Sequence, residues 1–138
     1  MKYSADPCQD SRKPSRHAAS SSVGGSNTPL FDQFRGNYIA TQDPSISPYS
    51  LFANTAYDAF YAFVYSAVSV GAKPLTGANL SAGMANLVPG PGTTKVKIRP
   101  EDLNQALDLL SKGEKIDLEG TSGPLDFDLE TGDVAQEN

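Results

Sequence analysis

Residues 51–70 read Leu-Phe-Ala-Asn-Thr-Ala-Tyr-Asp-Ala-Phe-Tyr-Ala-Phe-Val-Tyr-Ser-Ala-Val-Ser-Val, the strongest regular element in the chain. Phe52, Ala56, Ala59, Phe60, Phe63, Ala67 and Val70 fall on one broad apolar face at helical spacing. Tyr57, Tyr61 and Tyr65 recur at i, i+4 and i+8 as a second stripe. A helix apolar over most of its circumference packs on two sides. Ser50 is placed to cap its start, with Gly71 and Pro74 placed to stop it. Asn54, Asp58 and several hydroxyls make the stretch too polar for a membrane span.

On the N-terminal side, residues 41–50 hold two prolines and three serines and read as a loop. Before it, Leu30, Phe31, Phe34 and Tyr38 fit a short helix, with Thr28 as cap, Pro29 at its first position and Gly36 weakening it. Residues 1–27 are dominated by Ser, Pro, Gly, Asp and Arg and carry too little apolar surface to offset the entropy of ordering them. The expected division is therefore a disordered polar head over 1–27 and a folded part over 28–138. No signal peptide is visible, because the first residues lead into no apolar run.

Downstream, Leu80, Met84, Leu87 and Val88 predict a helix over about residues 77–88, ended by Pro89-Gly90-Pro91-Gly92. Thr94-Lys95-Val96-Lys97-Ile98 alternates polar and apolar, as a half-exposed strand does. Pro100, Glu101 and Asp102 open another helix with the stripe Leu103, Ala106, Leu107, Leu110, closed by Lys112 and Gly113. Ile116-Asp117-Leu118 reads as a short strand, residues 120–124 as a turn, Leu125-Asp126-Phe127-Asp128 as a further strand, and Thr131-Gly132-Asp133 as a turn. No internal repeat appears. The fold class is α/β, helix-rich with short strands and a C-terminal hairpin.

The composition sets limits on function. Apolar residues are 38% of the 138, below the usual ~45–50%, so part of the chain is expected to stay unpacked. Residues 1–35 carry five basic and three acidic groups, whereas residues 101–138 carry two lysines and eleven carboxylates. That acidic end repels phosphate backbones, so no nucleic-acid partner is expected. Cys8 and His17 are the chain's one cysteine and one histidine, and both sit in the polar head. They supply neither a disulfide framework nor a zinc site.

Several patterns invite sharper readings. Asp126, Asp128, Glu130 and Glu137 resemble an EF-hand loop, but Thr131 stands where the loop needs glycine, with Gly132 one residue late. A carboxylate-rich turn and no metal is the expectation. A glycosidase carboxylate pair among the same residues lacks anything to fix its separation. Gly90 and Gly92 lie between prolines and open no helix, so they form no phosphate loop. Asn79-Leu80-Ser81 matches a glycosylation sequon, which matters only in a eukaryotic secretory setting. With no nucleophile, base or metal set in view, no catalytic residue and no cofactor is assigned.

Two segments resemble the C-terminal part of type I periplasmic binding proteins, the leucine/isoleucine/valine-receptor-like solute receptors of ABC transporters. The first is Phe52-Ala53-Asn54-Thr55-Ala56-Tyr57-Asp58-Ala59, similar to that family's helix start. The second is Gly120-Thr121-Ser122-Gly123-Pro124-Leu125-Asp126-Phe127-Asp128 with Thr131-Gly132-Asp133, similar to its hairpin. The match covers about residues 31–134, and the order and spacing of the segments are more specific than either alone. The resemblance implies a partial lobe of that fold, a fragment less than half the length of a full receptor. It implies a receptor for an amino acid or related small polar molecule, with the ligand held between two lobes. An ABC permease is the implied partner and the periplasm or another extracytoplasmic site the implied location. Phe52 is the residue the resemblance places toward the ligand. Tyr57, Asp58, Gly123, Phe127, Asp128 and Gly132 are implied to be structural. The alternative is a small α/β interaction module derived from such a receptor, with no pocket of its own.

Overall fold

The computed structural model describes residues 28–43, 45–49 and 52–134. The polar head with Cys8 and His17, the cap at Ser50, and Glu137 lie outside the described residues. In chain order come α1 (Pro29–Thr41), α2 (Ala53–Val70), α3 (Gly77–Met84), β1 (Thr94–Lys97), a 3-10 turn (Pro100–Asp102), α4 (Leu103–Ser111), β2 (Ile116–Gly120) and β3 (Gly123–Pro124). This is a small, helix-rich α/β fold around a three-stranded mixed sheet ordered β1-β2-β3.

Local sequence accounts for most of these elements. Thr28 caps α1, its Oγ1 accepting from the Phe31 N–H at 3.1 Å, and Pro29 stands at the first position, where a missing N–H costs nothing. Thr76 caps α3 in the same way through the Asn79 N–H at 3.2 Å. α3 ends at Met84, earlier than the apolar spacing predicts. Leu87 is fully buried from the turn that follows it, so its apolar signal reports core packing and not helix.

β1 and β2 run parallel, with Val96 opposite Leu118 and Lys95 opposite Asp117. Parallel strands need a crossover, and α4 supplies it. Val96, Ile98, Ile116 and Leu118 turn one way and are fully buried against Ala62 and Tyr65 of α2, Ala106 and Leu110 of α4, and Leu87. The opposite face carries Lys95, Lys97, Asp117 and Glu119, with Lys95 and Asp117 3.8 Å apart. Among the described residues the sheet is thus covered by helices on its apolar face alone.

The expected strand at residues 125–128 is not a regular one. β2 turns through Thr121 and Ser122 into the two-residue β3, and Leu125 donates one more ladder bond, to the Leu118 carbonyl at 3.0 Å. Beyond it, a single bridge joins Phe127 to Val134. Pro124 sits at the non-hydrogen-bonded position opposite Glu119, with its nitrogen turned away from β2, where a missing N–H takes nothing from the ladder.

The largest correction concerns α2. Its buried residues are Asn54, Asp58, Ala62, Tyr65, Ser66 and Val70. Of the expected apolar face only Val70 is buried, while Phe60 and Phe63 stand 65% and 58% exposed. The helix packs on one side, through its tyrosine edge and a row of small and polar residues. No described helix is long and apolar enough to cross a membrane.

Candidate functional site

The polar row of α2 is buried because the turn after β2 supplies its hydrogen bonds. Asp58, 1% exposed, accepts four. The backbone N–H groups of Thr121 and Ser122 donate to it at 2.9 and 2.7 Å. Their hydroxyls reach it at 2.9 and 2.6 Å. Thr121 Oγ1 also lies 3.3 Å from the Asn54 carbonyl, so its one proton is shared between two acceptors. A carboxylate offers about four acceptor sites, and all are used here. The close approach has a backbone cause: a Cβ at Gly120 would stand 2.6 Å from Asp58 Oδ2. Glycine is the residue that lets the turn reach the carboxylate.

Beside this knot lies a cavity of about 340 Å³, walled by Phe52, Ala59, Ala62, Leu125 and Phe127, with Thr55, Asp58 and Ser122 supplying polar groups. A second cavity of about 290 Å³ adjoins it along α2, sharing Ala59, Ala62 and Phe127 and adding Phe63, Leu80 and Met84. Together they form an apolar groove bounded by α2, α3 and the chain after β3.

Phe52 occupies the cap position of α2, where serine or threonine is usual. Its backbone is left-handed, φ 72°, and its side chain makes no cap bond. An exposed aromatic residue in that region carries a backbone cost of order 1 kcal/mol or more. The bend turns the ring to the cavity rim, 58% exposed.

The other residues implied by the resemblance separate into three places. Phe52, Asp58 and Phe127 share the 340 Å³ cavity. Tyr57 lies on the far side of α2, half-buried, its ring centroid 5.1 Å from Phe34 and 4.9 Å from Tyr61. Burial and the hydrogen bond to Tyr61 raise its pKa well above the usual phenol value. Asp128 and Gly132 build a turn of their own. Asp128 Oδ1 accepts from the Glu130 N–H at 2.8 Å, the Gly132 N–H donates to the Asp128 carbonyl at 2.7 Å, and Gly132 has φ 80°. That carboxylate is occupied by its own loop. Gly123, with φ 125°, sets the bend from the turn into β3. Among the described residues no group of three or more His, Cys, Asp or Glu side chains gathers as a metal site would require.

Sequence reasoning missed the donors. Thr121 and Ser122 appear in the sequence as turn residues, and nothing local says that both offer hydroxyl and N–H to a helix 63 residues earlier. The available signal was the glycine before them, which marks close backbone approach. No family model, no curated protein and no solved structure matches this chain.

Proposed function

We propose that this chain is a non-catalytic part of a solute receptor of the type I periplasmic binding protein kind. It contributes one wall of a cleft for an amino acid or a related small polar molecule, outside the cytoplasm, for an ABC permease. The observation that carries this reading is the Asp58 knot. The two segments that resemble the receptor family, at residues 52–59 and 120–133, are distant in sequence, and Asp58 ties them together with four hydrogen bonds. Their joint occurrence then has a mechanical reason. Phe52 adds support: a strained, exposed ring beside a cavity of about 340 Å³ suits a ligand clamp.

Receptor pockets cover ~70–90% of a bound molecule, and one wall leaves the charged ends of an amino acid in water. The chain by itself therefore binds free amino acids at millimolar affinity or weaker, and calorimetric titration against an amino-acid panel checks this. Saturable micromolar binding by the chain alone would show a complete pocket and overturn the one-wall reading. In a type I receptor whose matching segment is replaced by residues 31–134, Phe52→Ala weakens ligand binding several-fold and leaves the melting temperature nearly unchanged. Equal affinity with and without the ring removes Phe52 from the site.

A second reading, an interaction module without a ligand, is favoured by the exposed Phe60 and Phe63 of α2, of which Phe63 lines the groove. Contiguous exposed apolar surface of this kind marks protein contact sites. Concentration-dependent elution on gel filtration, lost in Phe60→Ser with Phe63→Ser, supports it over the receptor.

A further inference from the structure

The solvent face of α2 carries Phe52 at the cap and then Ala56, Ala59, Phe60, Phe63 and Ala67 at helical spacing. Phe52, Phe60 and Phe63 stand 58%, 65% and 58% exposed, and Ala56 and Ala59 are exposed beside them. The order of large and small along this face is self-complementary. When a second copy of the helix is turned end for end about an axis between residues 59 and 60, every ring shares a layer with an alanine. Phe52 falls beside the partner's Ala67, Phe63 beside the partner's Ala56 and Phe60 beside the partner's Ala59. A two-fold contact uses the same patch on both copies, so its pattern has to match its own reverse. Large against small is also how a helix seam fills without voids. Charge points the same way: Asp58 is the one charged side chain of α2 and it is buried, so this face gives a charged partner nothing to pair with. Three rings of about 200 Å² at about 60% exposure give roughly 360 Å², and the alanines with the groove rim bring the covered area to roughly 600 Å² per protomer, the lower end of specific interfaces.

We propose that α2 pairs antiparallel with α2 of a second copy of this chain, in the register that sets each phenylalanine against an alanine. The second packed side that the sequence of α2 implies is then supplied by that copy. The small area makes the dimer weak, with a dissociation constant of about 10–100 μM, so the dilute chain is a monomer. The proposal rests on the reading of α2 as a protein contact surface, which it deepens by naming the partner, and it needs no part of the receptor reading.

Sedimentation equilibrium of the full chain from about 1 μM to about 1 mM tests it, with a monomer–dimer equilibrium expected within that range. Phe63→Ala opens two holes in the seam, and Ala56→Phe forces two rings into one layer. Each alone weakens association about tenfold or more, whereas the two together exchange the members of that layer and restore the constant to within about threefold. Thermal melts of the dilute variants verify that each is folded. Independently of any variant, the ring resonances of Phe60 and Phe63 shift as the concentration of the unaltered chain rises. Association that is lost in Phe60→Ser with Phe63→Ser but not restored by the exchange would overturn the antiparallel register and leave the contact surface standing. Association unchanged in that serine pair would overturn both. A monomer across the whole range would overturn the proposal, and binding of that monomer to phosphatidylcholine vesicles would give the face to a lipid surface instead.

Discussion

Helix α2 has two faces of opposite logic. Toward the interior it buries Asn54, Asp58 and Ser66 together with Ala62 and Tyr65, and toward solvent it shows Phe60 and Phe63. Transfer free energies alone would put the phenylalanines inside and the carboxylate outside. The difference teaches that burial here follows hydrogen-bond supply. One turn brings four donors to Asp58, and small residues allow the backbones to close on one another. Ser66 shows the same economy on a smaller scale. Its hydroxyl donates to the Leu80 carbonyl at 2.5 Å, and a Cβ at Gly83 would meet the Ser66 carbonyl oxygen at 2.5 Å. Helices α2 and α3 cross where one side has no side chain.

The sharpest way to break this contrast is Asp58→Ala. It leaves two backbone N–H groups and the Ser122 hydroxyl without the acceptor they share, while the Thr121 hydroxyl keeps the Asn54 carbonyl, and a stability loss of about 3 kcal/mol is expected for an uncompensated buried polar cluster. Urea denaturation measures it. A loss under about 1 kcal/mol, the net worth of one ordinary hydrogen bond, would mean that water enters and replaces the carboxylate. Gly120→Ala attacks the same knot by space and not by charge, with an expected cost of ~1–3 kcal/mol from overpacking. If the turn can shift to make room, the midpoint will not move.

Phe60→Ser and Phe63→Ser probe the other face. Exposed substitutions of this type change stability by no more than about 0.5 kcal/mol. A loss above about 2 kcal/mol for either, a core-sized value, would place its ring in packed surroundings and erase the contrast between the faces. The smallest effect concerns Arg99 and Asp102. The guanidinium donates to both carboxylate oxygens, at 3.0 and 2.9 Å, and holds the Asp102 pKa below the usual carboxylate range. A depressed folded value gives stability that is present above the unfolded pKa of about 3.9 and is lost as pH falls through the lower folded one. Asp102→Asn should therefore lower stability slightly at neutral pH and leave it unchanged below both pKa values, which flattens the acid limb of the stability curve. An unaltered acid limb would show that solvent screens the pair completely.

Much of the architecture was legible where the cause is local. Thr28 and Pro29 start α1, the stripe from Leu103 to Leu110 makes α4, and the alternation through Val96 and Leu118 makes β1 and β2. Each rests on residues within a few positions of one another. The packed face of α2 was not legible, because apolar periodicity assigns Asp58 and Asn54 to water, and their partner at Thr121 is settled only in three dimensions. Phe52 was singled out by resemblance, and its left-handed backbone and place at the cavity rim have no sequence signature. Leu87 shows the converse: its burial was legible as apolar spacing, but the spacing implied a helix that ends at Met84.

The knot also bears on the order of events when the chain folds. Closing a loop of 63 residues is entropically unfavourable before other contacts shorten it. During synthesis the donors at Thr121 and Ser122 emerge long after α2, so for that interval Asp58 stays hydrated. Burial of Asp58 therefore waits for the turn after β2 to reach it. A refolding phase that disappears in Asp58→Ala, seen by stopped-flow fluorescence of the tyrosines, would time that docking.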